Sequence, residues 1–151
     1  MKYFIGADHA GIEIKAYVKE LFENLGHEVE DMGPYTKDRV DYPDFASKVC
    51  QAVIDNPESK GILICGTGLG MSMAANKFDG IRAAVCHNVY SAMMAREHND
   101  ANILCLGERV TGQGVVEAIV NAWDSTQFAG GRHSNRVEKI DALYKMGSCR
   151  V

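Results

Sequence analysis

Short apolar runs along this chain alternate with longer stretches in which apolar residues recur every three or four positions. Lys2 to Ala7 is compact and apolar, the pattern of a buried strand. Over residues 11–25, Ile14, Val18, Leu21, Phe22 and Leu25 share one helical face. Gly26 then offers the positive φ with which helices commonly end. Val29 sits in a short second strand. A helix is predicted over 44–55, with Phe45, Val49, Ala52 and Val53 inward and Asn56-Pro57 as its stop. Gly61 to Cys65 is a third strand, built on Ile62-Leu63-Ile64. There follow a helix from Gly70 to Lys77, a strand from Ile81 to Cys86, a helix over 88–97 and a strand from Asn102 to Leu106. Two more helices, over 112–123 and 135–146, complete the pattern, the last with Val137, Ile140, Leu143 and Tyr144 inward.

Five strands alternating with helices imply right-handed βαβ units, hence an α/β fold with an open parallel sheet covered on both faces. A chain of 151 residues fits one domain, residues 1–151, around one core. In such sheets ligands bind beyond the carboxyl ends of the strands. That places the chemistry at Asp8-His9, at Cys65 and the residues after it, and in the turns after the fourth and fifth strands.

Composition narrows the partners. The hydrophobic content of 46% and charged content of 24% are those of an ordinary globular protein. The net charge is −4 and the basic residues are scattered, which argues against nucleic acid as the main partner. The apolar part of Met1 to Asp8 is too short for a signal peptide, and no run is long enough to span a membrane, so the expected location is cytoplasmic. The five cysteines at 50, 65, 86, 105 and 149 are odd in number and form no Cys-x-x-Cys pair. Neither a disulfide framework nor a metal site is expected, and most of them read as small buried apolar residues. Cys149, near the terminus, is placed for oxidation.

The most informative segment is Cys65-Gly66-Thr67-Gly68-Leu69-Gly70, between a buried strand and a helix. Three glycines let the backbone approach a ligand, and successive amide N–H groups at a helix start stabilise negative charge. The same field favours a thiolate, so a base would stand beside an oxyanion cradle. A plain tight turn with a buried cysteine is the competing reading. The spacing Gly-x-Gly-x-Gly is not the dinucleotide fingerprint, no Gly-Lys-Ser/Thr follows, and Met71 stands where a cysteine phosphatase loop has arginine.

Asp8-His9-Ala10-Gly11 closes the first strand with groups suited to proton handling or hydroxyl binding, although Asp8 is also a candidate helix cap. His98, within Arg96-Glu97-His98-Asn99-Asp100, is a candidate acid or base at a polar helix end. If the last helix starts near Arg132, Arg132 and Arg136 share a face and suit a phosphate. A scattered basic surface competes with that reading. Arg109 carries a weaker local signal. Met71, Met73, Met93 and Met94 read as packing and Trp123 as core or subunit contact, while His27 and His87 have no evident partner.

Seven segments in order resemble ribose-5-phosphate isomerase B, within the wider group that includes galactose-6-phosphate isomerase subunits. They are Gly6-Ala7-Asp8-His9-Ala10-Gly11, Asp41-Tyr42-Pro43, Ile64-Cys65-Gly66-Thr67-Gly68, Ala74-Ala75-Asn76-Lys77, Gly80-Ile81-Arg82-Ala83, His98-Asn99-Asp100-Ala101-Asn102, and Gly130-Gly131-Arg132-His133 with Arg136. The resemblance implies a Rossmann-like three-layer α/β/α sandwich that works as a homodimer or homotetramer, without metal or organic cofactor. It implies interconversion of ribose 5-phosphate and ribulose 5-phosphate. Cys65 would move the proton between C2 and C1, Thr67 would assist between O1 and O2, and His98 would open the furanose ring with Asp8 nearby. The amides of Gly66, Thr67, Gly68, Leu69 and Gly70 would hold the enediolate. His9, Arg109, Arg132, His133 and Arg136 would serve the phosphate end, with Asn99 and Tyr42 at the sugar. A second subgroup has a glutamate base at the position of Met71; Met71 cannot take a proton, so the chain resembles the Cys-type members. A six-carbon substrate (allose 6-phosphate or galactose 6-phosphate), a non-catalytic sugar-phosphate-binding module and a flavodoxin-like nucleotide binder are the alternatives.

Overall fold

The computed structural model describes residues 1–148. Five strands, β1 (Lys2–Ala7), β2 (Glu28–Asp31), β3 (Lys60–Cys65), β4 (Ala83–Val85) and β5 (Ile103–Gly107), form one all-parallel sheet in the order β2-β1-β3-β5-β4. Among the described residues there are six helices: α1 (Ile12–Asn24), α2 (Tyr42–Asp55), α3 (Leu69–Ala75), α4 (Val89–Glu97), α5 (Gln113–Ser125) and α6 (Arg132–Ser148). The expected α/β/α architecture is present.

The central strands are buried on both faces, and their alternation sorts the core into two layers. Ile62 and Ile64 of β3 face α1, α4 and α5, packing with Val18, Phe22, Ile119 and Trp123. Leu63 and Cys65 face α2 and α3, packing with Phe45, Val49, Cys50 and Met71. Burying each Leu-, Ile- or Phe-sized side chain stabilises the fold by about 1.5–3 kcal/mol. Trp123 is thus a core residue, 1% exposed.

Some boundaries and faces differ from the sequence reading. α2 begins at Tyr42 because Pro43 suits a first helical turn, where its missing N–H costs nothing. β4 is shorter than expected: Ile81 is still in a turn, its N–H donating to the Phe78 carbonyl at 3.2 Å. α6 starts at Arg132 rather than 135. Its Ile140, Leu143 and Tyr144 are exposed, not inward, and of the four residues assigned to the core Val137 alone is buried. The helix lies outside both core layers, so its apolar stripe has no sheet beneath it. Leu25, Met73 and Met93 are also exposed rather than packed, Leu25 because α1 has ended before it. His27 does have a partner, Asp124, with Nε2 and Oδ1 2.8 Å apart. Cys149 lies outside the described residues.

Candidate active site

The chain leaves β1 toward β2 on one side and returns across β1 to β3, from which it continues to the other side. The sheet therefore has its switch point between β1 and β3, where a crevice opens at the carboxyl ends. Ala7 pairs with Ile64, and Cys65 with Gly107, so Asp8, Gly66 and Glu108 emerge side by side. Backbone bonds fasten these exits together. The Asp8 N–H donates to the Ile64 carbonyl at 3.0 Å, Glu108 N–H to the Cys65 carbonyl at 2.9 Å, and Arg109 N–H to the Gly66 carbonyl at 3.0 Å.

Cys65 is 5% exposed, at the end of β3 on the α2–α3 face. The Gly68 N–H donates to its Sγ at 3.1 Å. Gly68 has φ +80, a conformation few side chains adopt, and a Cβ there would sit 3.0 Å from the Leu106 backbone. At Gly107 a Cβ would lie 2.5 Å from the Thr67 carbonyl carbon, so β5 and the loop pass in close contact. These glycines are what allow the loop to fold back over the strand ends and aim an amide at the sulfur. Thr67 is exposed, and its Oγ1 accepts from the Leu69 N–H at 3.2 Å.

Burial pushes the Cys50 thiol up to about 12 and that of Cys86 up to about 11, and raises Cys105 as well. All three stay protonated near neutral pH. Among the described residues no cluster of three or more His, Cys, Asp or Glu side chains could hold a metal ion.

Asp8 is buried, and its Oδ1 accepts from the Ala10 N–H at 2.8 Å, a local turn rather than a cap on α1. His9 is half-buried with Nδ1 3.2 Å from the Val40 carbonyl. The Tyr42 ring covers Gly70 so closely that a Cβ there would be 2.6 Å from Cζ. The Arg109 guanidinium lies over Gly66, its Nη1 3.5 Å from where a Cβ would stand. Asp8, His9, Tyr42, Cys65, Gly66, Thr67, Gly68, Leu69, Gly70 and Arg109 thus gather at one end of the sheet.

His98, Asn99, Arg132, His133 and Arg136 do not join them. α4 runs antiparallel to the strands, so its carboxyl end leads into the amino end of β5. There the His98 ring stacks on His133, with centroids 4.2 Å apart and planes 11° from parallel. The Ala129 N–H donates to the Glu97 carbonyl at 2.9 Å, fixing the start of α6 against the end of α4. Arg132 and Arg136 are exposed, one helical turn apart. At about 3.3 Å per residue, the length of β3 separates the two clusters by roughly 15–20 Å. Within one chain the two clusters therefore stand apart.

Burial, followed by the neighbouring His98, Arg132 and Arg136 side chains, lowers the His133 pKa below its ordinary 6.5. The folded protein then binds fewer protons at this site than the unfolded chain, so the stability it confers is full above pH 6.5 and lost as pH falls through the folded value. His133→Gln is expected to flatten the fall in Tm below pH 6.5, read by melting curves without phosphate. Equal slopes for both proteins would contradict that assignment.

Sequence reasoning gave no role to Arg82, Arg96 or Glu108. Glu108 Oε2 accepts from the Ile14 N–H at 3.1 Å and so satisfies the open start of α1. Its partner is 94 residues away, beyond any local motif.

The chain is similar to known proteins over nearly its whole length. The family model described as Ribose/Galactose Isomerase matches residues 3–140. The ribose-5-phosphate isomerase B of Escherichia coli is 48% identical over 142 residues, 94% of this chain and 95% of that protein. A D-erythrulose-4-phosphate isomerase of Pectobacterium atrosepticum is 42% identical over 137 residues, 90% of each. The solved structure of Clostridium thermocellum ribose-5-phosphate isomerase B is similar with a TM-score of 0.95 at 52% identity, covering 97% of this chain and 99% of that one.

Proposed function

Because the chain belongs to the ribose/galactose isomerase family, we propose that it interconverts ribose 5-phosphate and ribulose 5-phosphate, a step of the pentose phosphate pathway, through a cis-enediol(ate). The observation that carries this reading is the thiol of Cys65 at the sheet's switch point, under the Gly68 N–H at 3.1 Å. Proton abstraction beside a carbonyl needs a base, a stabiliser for the oxyanion and a grip on the unreacting end. Cys65, the loop amides and the arginines supply one each.

The Cys65 thiolate removes the proton on C2 of the open-chain aldose, and the charge passes to O1. Amides of residues 66–70 stabilise that oxygen. Thr67 relays the O2 proton to O1, and Cys65 returns its proton to C1, which leaves the ketose and a thiolate. His98 opens the furanose ring beside Asp8, and Asn99 and Tyr42 hold the sugar. Met71 is fully buried in the same cluster as Cys65, in keeping with the Cys-type assignment.

The site is completed by a second copy of the chain. Cys65, Thr67, Asp8, His9 and Arg109 of one protomer would face His98, Asn99, Arg132, His133 and Arg136 of its partner. The separation of the two clusters on opposite ends of the sheet supports a homodimer, or a tetramer built from such dimers. A cytoplasmic, metal-free enzyme of one domain is part of the same proposal. Among the described residues no helix is long and apolar enough to cross a membrane.

A relative that acts on a four-carbon phosphate keeps other chain lengths in view. Purified chain with chelator present is expected to turn over ribose 5-phosphate faster than D-erythrulose 4-phosphate, allose 6-phosphate or galactose 6-phosphate. Preference for another of these would keep the chemistry and replace the substrate. Binding of all with turnover of none would favour the sugar-phosphate-binding module.

A further inference from the structure

The loop between α4 and β5 holds one residue in an uncommon backbone conformation. Asp100 has φ +44, in the left-handed region that residues with a Cβ seldom occupy. Two guanidinium groups keep it there. Arg96 Nη1 donates to Asp100 Oδ1 at 2.8 Å and to the Ala101 carbonyl at 2.7 Å. Arg82 Nη2 donates to the Asp100 carbonyl at 3.0 Å and to its Oδ2 at 3.3 Å. Arg82 Nε is shared between the carbonyls of Asn99, at 3.1 Å, and Asp100, at 3.2 Å.

The remaining arm of Arg82 reaches a different element. Its Nη1 donates to both carboxylate oxygens of Asp141 on α6, each at 3.0 Å. Arg82 therefore bonds to the loop and to the helix at once. The loop presents His98 and Asn99; the helix presents Arg132, His133 and Arg136. The His98–His133 stack joins the same two segments farther along. Arg82 comes from a third place, the entry to β4, where its own N–H donates to Asn102 Oδ1 at 2.8 Å. The guanidinium is thus anchored to the sheet.

Resting on the isomerase reading above, we propose that Arg82 is a positioning residue for the reaction. It fixes the ring-opening imidazole and the sugar ligand at a set distance from the phosphate-binding arginines, so that the half-site reaches the partner as one rigid unit. A lysine at 82 keeps the charge but offers no planar fork, and so cannot hold Asn99, Asp100 and Asp141 together.

The test compares the full-length chain with Arg82→Lys and Asp141→Asn. Asp141→Asn spares the loop contacts and weakens the tie to α6. Misplacing a reacting group by about 1 Å costs about 100-fold in rate, and we expect that loss of kcat/KM for ribose 5-phosphate in Arg82→Lys. Asp141→Asn is expected to lose about tenfold, mostly through KM, since binding geometry is what it disturbs. Inorganic phosphate, titrated by calorimetry, is expected to bind about tenfold more weakly to both variants, in line with loosened Arg132 and Arg136. Melting curves show which variants fold, and if Arg82→Lys does not, Asp141→Asn decides. Folded variants with wild-type kcat/KM and wild-type phosphate affinity overturn the inference, as does a wild-type chain that binds no phosphate. A wild-type chain that binds phosphate without turning over ribose 5-phosphate contradicts the proposed reaction instead, and the phosphate affinities then decide the positioning role.

Discussion

Cys65→Ala is expected to lower kcat for ribose 5-phosphate by at least about 1,000-fold, within the range that a positioned acid–base group contributes. The fold is expected to survive. Alanine is smaller than cysteine but apolar, and the surroundings of Cys65 are the packed side chains of α2, α3 and β3. Among the described residues no other thiol can take over, because burial keeps Cys50, Cys86 and Cys105 protonated. Steady-state kinetics beside a melting curve separate the effects. Near-normal turnover by a folded Cys65→Ala protein would remove Cys65 from the mechanism.

The second large effect is a recovery. Cys65→Ala and His98→Ala are each expected to be close to inactive alone. Mixed and reassembled, they form dimers in which one site carries both lesions and the other carries neither. With random pairing under two-fold symmetry, half of the dimers are mixed and each has one intact site, so about one quarter of wild-type activity returns. This follows from the placement of Cys65 and His98 at opposite ends of a parallel sheet. Absence of recovery in a mixture shown to exchange subunits would place both residues of a working site in one chain.

The sheet was legible in the sequence because its central strands are continuous apolar runs. Ile62-Leu63-Ile64 could belong to little else once Gly61 and the glycines after Cys65 bounded it. The close turn around Cys65 was legible for a related reason: Gly68 needs its positive φ and Gly107 its close approach, and such positions leave glycine in the sequence. α6 was misread because an apolar stripe records that something covers a face, not that this chain's own sheet does. Arg82 was invisible as a functional residue, since its partners Asn99, Asp100 and Asp141 lie 17 to 59 residues away. His98, by contrast, was singled out by its chemistry, and parallel topology then placed it far from Cys65. Nothing in local spacing signals that separation.

The most direct test of the account is isomerisation of ribose 5-phosphate by the purified chain in heavy water, followed by NMR. The account predicts that ribulose 5-phosphate forms and that part of it carries deuterium at C1, because a proton held on Cys65 exchanges with solvent before it returns. Ribulose 5-phosphate with no deuterium at C1 at any extent of reaction, or no ribulose 5-phosphate at all, would contradict proton transfer through Cys65.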